Sequence, residues 1–104
     1  MTTIQKIQKL QTLQTPEQLC DFFITLYAET DPDLNRDMAT QAFNYGLQGI
    51  EYIDCELFTN PDAGITPIGL HCVYDNINYI GYLIYLYDFD DAVQFIIENT
   101  EWGE

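Results

Sequence analysis

The sequence predicts an α+β fold: N-terminal helices packed on a small three-stranded antiparallel sheet, with a closing C-terminal helix, in one acidic domain over residues 1–104. Two observations predict this fold. Apolar residues recur at helical spacing through residues 4–45, whereas residues 68–74 alternate in polarity and residues 77–87 are rich in β-branched and aromatic side chains. A chain of 104 residues with 47% hydrophobic content is long enough to bury a core of its own.

The first two helices are predicted from a repeat and from a capping motif. Residues 4–15 repeat with a period of three, which on a helix spreads the apolar side chains over a broad stripe. That stripe consists of Ile4, Ile7, Leu10 and Leu13. Thr15 is the expected N-cap of the second helix, with Pro16 at its first position and Gln18 placed for a capping box. The apolar face of this helix consists of Leu19, Phe22, Phe23, Leu26 and Tyr27.

A third helix is predicted to start at Asp31-Pro32, and Gly46 is the residue expected to end it. Its apolar face consists of Leu34, Met38, Ala42 and Tyr45. The next segment, residues 47–58, fits both a helix and a strand, because its apolar residues satisfy either spacing. We favour the strand, whose inward side chains would be Ile53, Cys55 and Leu57.

A β-hairpin is predicted after the turn cluster at residues 60–64. Residues 68–74 alternate between apolar and polar side chains, Asp75-Asn76 forms the turn, and residues 77–87 form the second strand. Both faces of this second strand are apolar. The pattern indicates either a central strand covered on both sides or a tyrosine-rich patch kept for a partner.

The last helix is predicted to start after Asp88, whose side chain can cap it. Asp90 and Asp91 lie in its first turn, where the positive end of the helix dipole favours anions. The face expected to pack on the sheet consists of Phe89, Ala92, Val93, Ile96 and Ile97.

The charge distribution limits the classes of partner. Seventeen Asp and Glu face three Lys and Arg, for a net charge of -14, and no Lys or Arg follows Arg36. Direct nucleic-acid binding is therefore excluded, because it needs Lys and Arg to neutralise phosphates, and anionic membranes are excluded for the same reason. A solvated acidic surface is the plain explanation of such a charge, but acids interleaved with tyrosines favour a basic protein partner.

The expected location is the cytoplasm. Three cysteines, an odd number without CxxC spacing, fit a reducing compartment. The first fifteen residues lack the unbroken apolar region of a signal peptide. The longest apolar run, residues 79–87, has the length of a strand and falls well short of a membrane span.

Two motifs contain residue types that can carry chemistry, but neither predicts a metal site, a cofactor site or an enzyme. Residues 31–35 resemble the start of a calcium loop, but Arg36 and Ala42 replace its required Gly and Glu, so helix capping is the better account. His71 precedes Cys72, and neighbours in a strand point to opposite faces. A nucleophile built from His71 with Cys20 or Cys55 has no local motif to support it.

In size and composition the chain resembles the small acidic inhibitors that phages and mobile elements encode: anti-CRISPR proteins, anti-restriction proteins and uracil-DNA glycosylase inhibitors. No shared motif accompanies the resemblance. What it implies is DNA mimicry, in which ordered carboxylates imitate the phosphates of DNA in the basic groove of a nucleic-acid-binding protein or nuclease complex. A phage-encoded protein of this kind would act in the cytoplasm of the host cell.

The predicted partner-binding residues are acids around the hairpin and last helix, with two tyrosines beside the turn: Asp54, Glu56, Asp75, Asp88, Asp90, Asp91, Glu98, Glu101, Tyr74 and Tyr79. An alternative function is that of an immunity or antitoxin protein which blocks a basic nuclease toxin. A further alternative is a subunit that docks into a larger complex through the tyrosine-rich strand, or forms a homodimer through it.

Overall fold

The computed structural model describes residues 2–50 and 73–100, and these residues fold into helices. The helices are α1 (Thr3–Thr12), α2 (Pro16–Ala28), α3 (Arg36–Leu47), α4 (Val73–Leu86) and α5 (Phe89–Asn99). Helix accounts for 78% of the described part, which contains no strand or sheet. The predicted α+β fold is therefore wrong for these residues.

The starts of α1 and α2 follow from local capping. Thr15 caps α2, its hydroxyl accepts the backbone N–H of Gln18, and the Gln18 side chain accepts the Thr15 N–H in return, as predicted. Thr2 and Gln5 form a second capping box at α1. The five predicted apolar positions of α2 are all buried.

The apolar stripe of α1 is rotated relative to the prediction. Leu10 is fully buried and Ile7 and Leu13 are half-buried, but Ile4 is 68% exposed. Lys6 is buried instead. The inward face of α1 therefore includes Lys6 and Leu10 and leaves Ile4 in solvent, and the helix packs against α5.

The start of α3 differs from the prediction. The helix begins at Arg36, and the Asn35 side chain caps it by accepting the N–H of Met38 at 3.1 Å. Asp31 accepts the N–H of Asp33 in a turn before the helix. The inward face consists of Ala39, Ala42, Phe43 and Gly46. Of the predicted face, Ala42 is buried and Tyr45 half-buried, Met38 is exposed, and Leu34 precedes the helix but packs against the core.

Gly49, not Gly46, ends α3. Gly49 has a positive φ of 77°, a conformation that glycine adopts without strain. The N–H groups of Gly49 and Ile50 bond the carbonyl oxygens of Gly46 and Tyr45, which is the Schellman arrangement of a helix end. Gly46 lies inside the helix for a different reason.

That reason is the crossing of α3 and α4, the most extensive helix contact in the described part. A Cβ atom on Gly46 would overlap the carbonyl oxygen of Asn78 and lie 2.6 Å from the Tyr82 nitrogen. A Cβ atom on Gly81 would overlap the carbonyl oxygen of Phe43. The two backbones are thus in contact, which only glycine permits at both positions.

The largest correction concerns the predicted hairpin. The turn at Asp75-Asn76 and the strand at residues 77–87 were wrong, because residues 73–86 form the 14-residue helix α4. Residues 75–81 of this helix are all buried, so its first half is enclosed on nearly every side, and the segment from Tyr79 onward is apolar on all faces. A central helix of this kind has the same unbroken apolar pattern as a central strand, and its length is what distinguishes the two.

Asn78 fastens α4 to the end of α3. Its side chain is fully buried, and Nδ2 donates to the carbonyl oxygen of Ala42 at 2.7 Å and to that of Ile50 at 3.1 Å. A buried amide must find such partners, since a polar group without a hydrogen bond is costly to remove from water. The chain leaving α3 is therefore held against α4.

The cap of α5 was predicted correctly. Asp88 accepts the N–H of Asp91 at 2.8 Å, and Asp90 and Asp91 lie in the first turn. On the predicted face Ala92, Val93 and Ile96 are buried, but they pack against helices instead of a sheet. The core shared by the five helices includes Leu10, Leu19, Phe23, Tyr27, Phe43, Ile77, Tyr79, Ile80, Leu83 and Ile96.

Several predicted elements lie outside the described residues. These are the strand predicted within residues 47–58, beyond Ile50, the turn cluster at residues 60–64, and the first strand of the hairpin up to residue 72. Over residues 2–50 and 73–100, no helix combines the length and the apolar character needed to cross a membrane.

Candidate partner-binding surface

The chain passes from α4 to α5 at an exposed corner where aromatic and acidic side chains lie together. Tyr85, Leu86 and Tyr87 are 57%, 45% and 42% exposed. The carboxylates that follow are exposed as well. We call this set of residues the acidic corner: Tyr85, Leu86, Tyr87, Asp88, Asp90 and Asp91.

The backbone of the acidic corner is set by the two helix ends. The Tyr87 N–H donates to the carbonyl oxygen of Leu83 at 2.8 Å and so closes the last turn of α4. Asp88 then caps α5. Only Tyr87 and Asp88 separate the helices, so the corner has little freedom to change its shape.

The two exposed tyrosines of the corner are each supported on one side. The Tyr85 ring lies over Gly49, where an added Cβ would approach its carbons within 2.7–2.9 Å, and it contacts the Tyr82 ring at 5.7 Å between centroids. The Tyr87 ring stacks on Phe95 with centroids 6.0 Å apart. Rings held in this way lose little conformational entropy when a partner covers the other face.

The carboxylates continue along α5. Glu98 is exposed near its far end, where Oε1 accepts the Nε2–H of Gln94 at 2.9 Å. At 1.5 Å per helical residue, Asp88 and Glu98 are about 15 Å apart along the axis. One DNA strand carries about four phosphates over that length. The four carboxylates of this segment match that number, although three of them lie at one end.

The structure divides the predicted partner-binding residues into exposed and buried ones. Asp88, Asp90, Asp91 and Glu98 are all exposed on or beside α5. Asp75 is buried in the first turn of α4, and Tyr79 is fully buried in the core, so neither side chain is accessible to another protein. Tyr74 is half-buried, and its hydroxyl accepts the Asn35 N–H at 3.1 Å. Outside the described residues lie Asp54, Glu56 and Glu101.

The sequence left open whether residues 77–87 form a covered core element or a tyrosine-rich surface patch, and Tyr85, Leu86 and Tyr87 were not among the predicted partner-binding residues. In the predicted strand, one face would contain Tyr79, Tyr85 and Tyr87 together. On a helix, Tyr79 and Tyr85 point in different directions, because six residues make about one and two-thirds turns. The cap at Asp88 was the available signal, since it places the preceding residues at the exposed end of an element.

Cys20 is the cysteine that lies within the described residues, and its environment disfavours a role as a nucleophile. Cys20 is buried, and this burial, followed by the charge of Asp21, raises the pKa of its thiol from 9.0 to about 11, while a hydrogen bond with Thr40 lowers it. The nucleophile is the thiolate, which is scarce at neutral pH for such a group. No three His, Cys, Asp or Glu residues within 2–50 and 73–100 are grouped to hold a metal ion.

The chain matches no known protein family, no curated protein and no solved structure. Its described surface is strongly acidic. Lys9 and Arg36 are the exposed basic residues of that surface, whereas Lys6 is buried. The exposed acids are Glu17, Asp21, Glu29, Asp33, Asp37, Asp88, Asp90, Asp91 and Glu98.

Proposed function

We propose that the protein is an acidic inhibitor that occupies the basic nucleic-acid-binding surface of a partner protein. The observation that carries the proposal is the acidic corner, where three exposed carboxylates adjoin two exposed, supported tyrosines. This composition suits a surface rich in Arg and Lys, because carboxylates accept charge-assisted hydrogen bonds from Arg and tyrosine rings stack on guanidinium groups.

Two ranges of interaction are combined in this proposal. The net charge of -14 draws a basic partner over a distance of about 10 Å at 0.1 M salt, the Debye length, and so raises the association rate. The tyrosines then act at contact distance, where they slow dissociation. Nucleic acid itself is repelled by the same charge, so the inhibitor competes with it without binding it.

The test begins with capture of partners on immobilised protein at low salt, followed by elution with a short DNA duplex. Proteins displaced by the duplex are purified, and their DNA binding is measured by fluorescence anisotropy while the inhibitor is added. We expect full displacement of DNA by the wild-type protein. The Asp90→Asn/Asp91→Asn variant should associate more slowly and inhibit less.

The matched control is Asp33→Asn/Asp37→Asn, which removes the same charge from exposed positions, one of them also in a first helical turn. This control should inhibit nearly as well as the wild type. If a captured protein binds DNA and the acidic chain at the same time, the proposal that the chain occupies the nucleic-acid-binding surface is wrong. Equal loss in both variants would show that net charge, not the acidic corner, is responsible.

A further inference from the structure

A groove of about 330 Å³ lies between α2 and α3, and none of its lining residues belongs to the acidic corner. Ile24 and Phe43 form its apolar floor, and the half-buried Leu47 lies at its α3 wall. This volume is at the lower end of the roughly 300–1,000 Å³ typical of ligand sites, and it suits one or two apolar side chains.

The wall contributed by α2 is acidic. Glu17 and Asp21 both line the groove, both are exposed, and they lie one helical turn apart. No Lys or Arg lines the groove or occurs anywhere in α2. Like charges at this spacing weaken a helix, and no basic neighbour within α2 offsets them.

The charge of Asp21 also reaches the floor of the groove. Cys20 lies between the two carboxylates in sequence and lines the same groove, and Asp21 contributes to its raised pKa. A cation entering the groove would therefore meet a negative potential over an apolar floor, where electrostatic interactions are stronger than in bulk water.

We infer that this groove is the docking site for a short, basic, amphipathic helix of a partner protein. Apolar side chains of the docked helix fill the space over Ile24 and Phe43, as in other helix-in-groove complexes. Two Lys or Arg residues one turn apart on that helix pair with Glu17 and Asp21. Residues at this spacing have Cβ atoms about 5–6 Å apart on either helix, so the two pairs match in length.

The probe is a synthetic helix of about four turns, stapled on its outer face, with leucines along one side and two arginines one turn apart beside them. A second peptide has the same composition in scrambled order. Binding is measured by isothermal titration at about 0.1 M salt, and amide NMR shifts locate the contact. We expect saturable binding of the first peptide, with shifts concentrated on α2 and α3.

Three variants identify the groove. Glu17→Gln/Asp21→Asn removes the acidic wall, and Asn44→Phe fills the groove from the exposed α3 side without changing the charge. Each should raise the Kd about tenfold or more. Asp33→Asn/Asp37→Asn carries the same charge change outside the groove and should leave the Kd within about twofold. Thermal unfolding checks that every variant folds.

Three outcomes would overturn the inference: no saturable binding up to about 1 mM, equal binding of the scrambled peptide, or equal weakening by the two charge variants. The last two would indicate attraction between net charges only. The inference is independent of the proposed function, because the groove variants leave the acidic corner intact and the corner variants leave the groove intact.

Discussion

Individual glycines decide how closely α3 and α4 approach. From helix propensity alone, Gly46→Ala and Gly81→Ala should each stabilise a helix by up to about 1 kcal/mol. In the folded protein both substitutions should instead destabilise, because each new Cβ would overlap a backbone oxygen of the other helix.

We therefore expect each glycine variant to lower the free energy of unfolding by roughly 1–3 kcal/mol or more, measured by urea denaturation. Asn44→Ala, at an exposed position of α3, is the control and should change it by only a few tenths to about 0.7 kcal/mol. Unchanged or increased stability in Gly81→Ala would contradict the close crossing.

The thiol of Cys20 provides a second prediction for a single residue. With its pKa raised from 9.0 to about 11, the folded state binds this proton more tightly than the unfolded state does. The stability that this provides is present below pH 9 and is lost as the pH rises toward 11.

Iodoacetamide should accordingly modify Cys20 slowly at pH 8 in the native protein and quickly in urea, as followed by mass spectrometry of its peptide. Asp21→Asn removes a charge that raises the pKa and should speed the native reaction. Native labelling at the rate of a free thiol would show that the side chain is accessible and its pKa ordinary.

Among the elements, α5 depends on its cap. Asp88→Ala removes the oxygen that accepts the Asp91 N–H and should cost about 1 kcal/mol of stability, within a range of 0.5–2. Asp88→Asn retains an acceptor and should be close to neutral. Urea denaturation measures both changes, and hydrogen exchange at the Asp91 amide should accelerate in the alanine variant alone. Equal effects of the two substitutions would mean that the charge, not the hydrogen bond, stabilises α5.

The same element shows what local signals can establish. Asp88, Asp90 and Asp91 were predicted as the start of α5 because a cap involves residues within three positions of one another. By contrast, α4 was assigned to a strand, since a segment surrounded by core has no polar face to reveal its period. The strand predicted over residues 77–87 was already longer than most strands, and this length was the available signal for a helix.

At the scale of the whole molecule, self-repulsion should make stability depend on salt. The net charge is -14, and the exposed acids of the described surface have few basic neighbours. Raising NaCl from about 0.01 to 0.1 M shortens the Debye length from about 30 to 10 Å, so we expect the urea midpoint at pH 7 to rise. Urea is suitable because it is uncharged.

The control for this prediction is the same salt series at acidic pH, where protonation reduces the net negative charge and the salt effect should be much smaller. A midpoint at pH 7 that stays constant or falls with salt would contradict it. Such a result would mean that the carboxylates gain more from partners within the fold than they lose by repulsion.

The sequence by itself determined the features that arise between near neighbours: the caps at Thr15 and Asp88, the buried face of α2, and the acidic charge. It also identified Asp88, Asp90 and Asp91 as accessible acids. These properties depend on bonds and periodicities within one or two turns, so they can be recognised before the fold is known.

The tertiary structure alone decided the rest. Gly46 and Gly49 are both glycines and lie three positions apart, yet Gly46 permits a helix crossing and Gly49 ends a helix. Tyr79 and Tyr85 belong to one tyrosine-rich segment, yet one is in the core and the other on the surface. For Gly46 and for the two tyrosines the difference comes from which distant element lies against the residue, and contacts between residues far apart in the chain form only when the whole core packs.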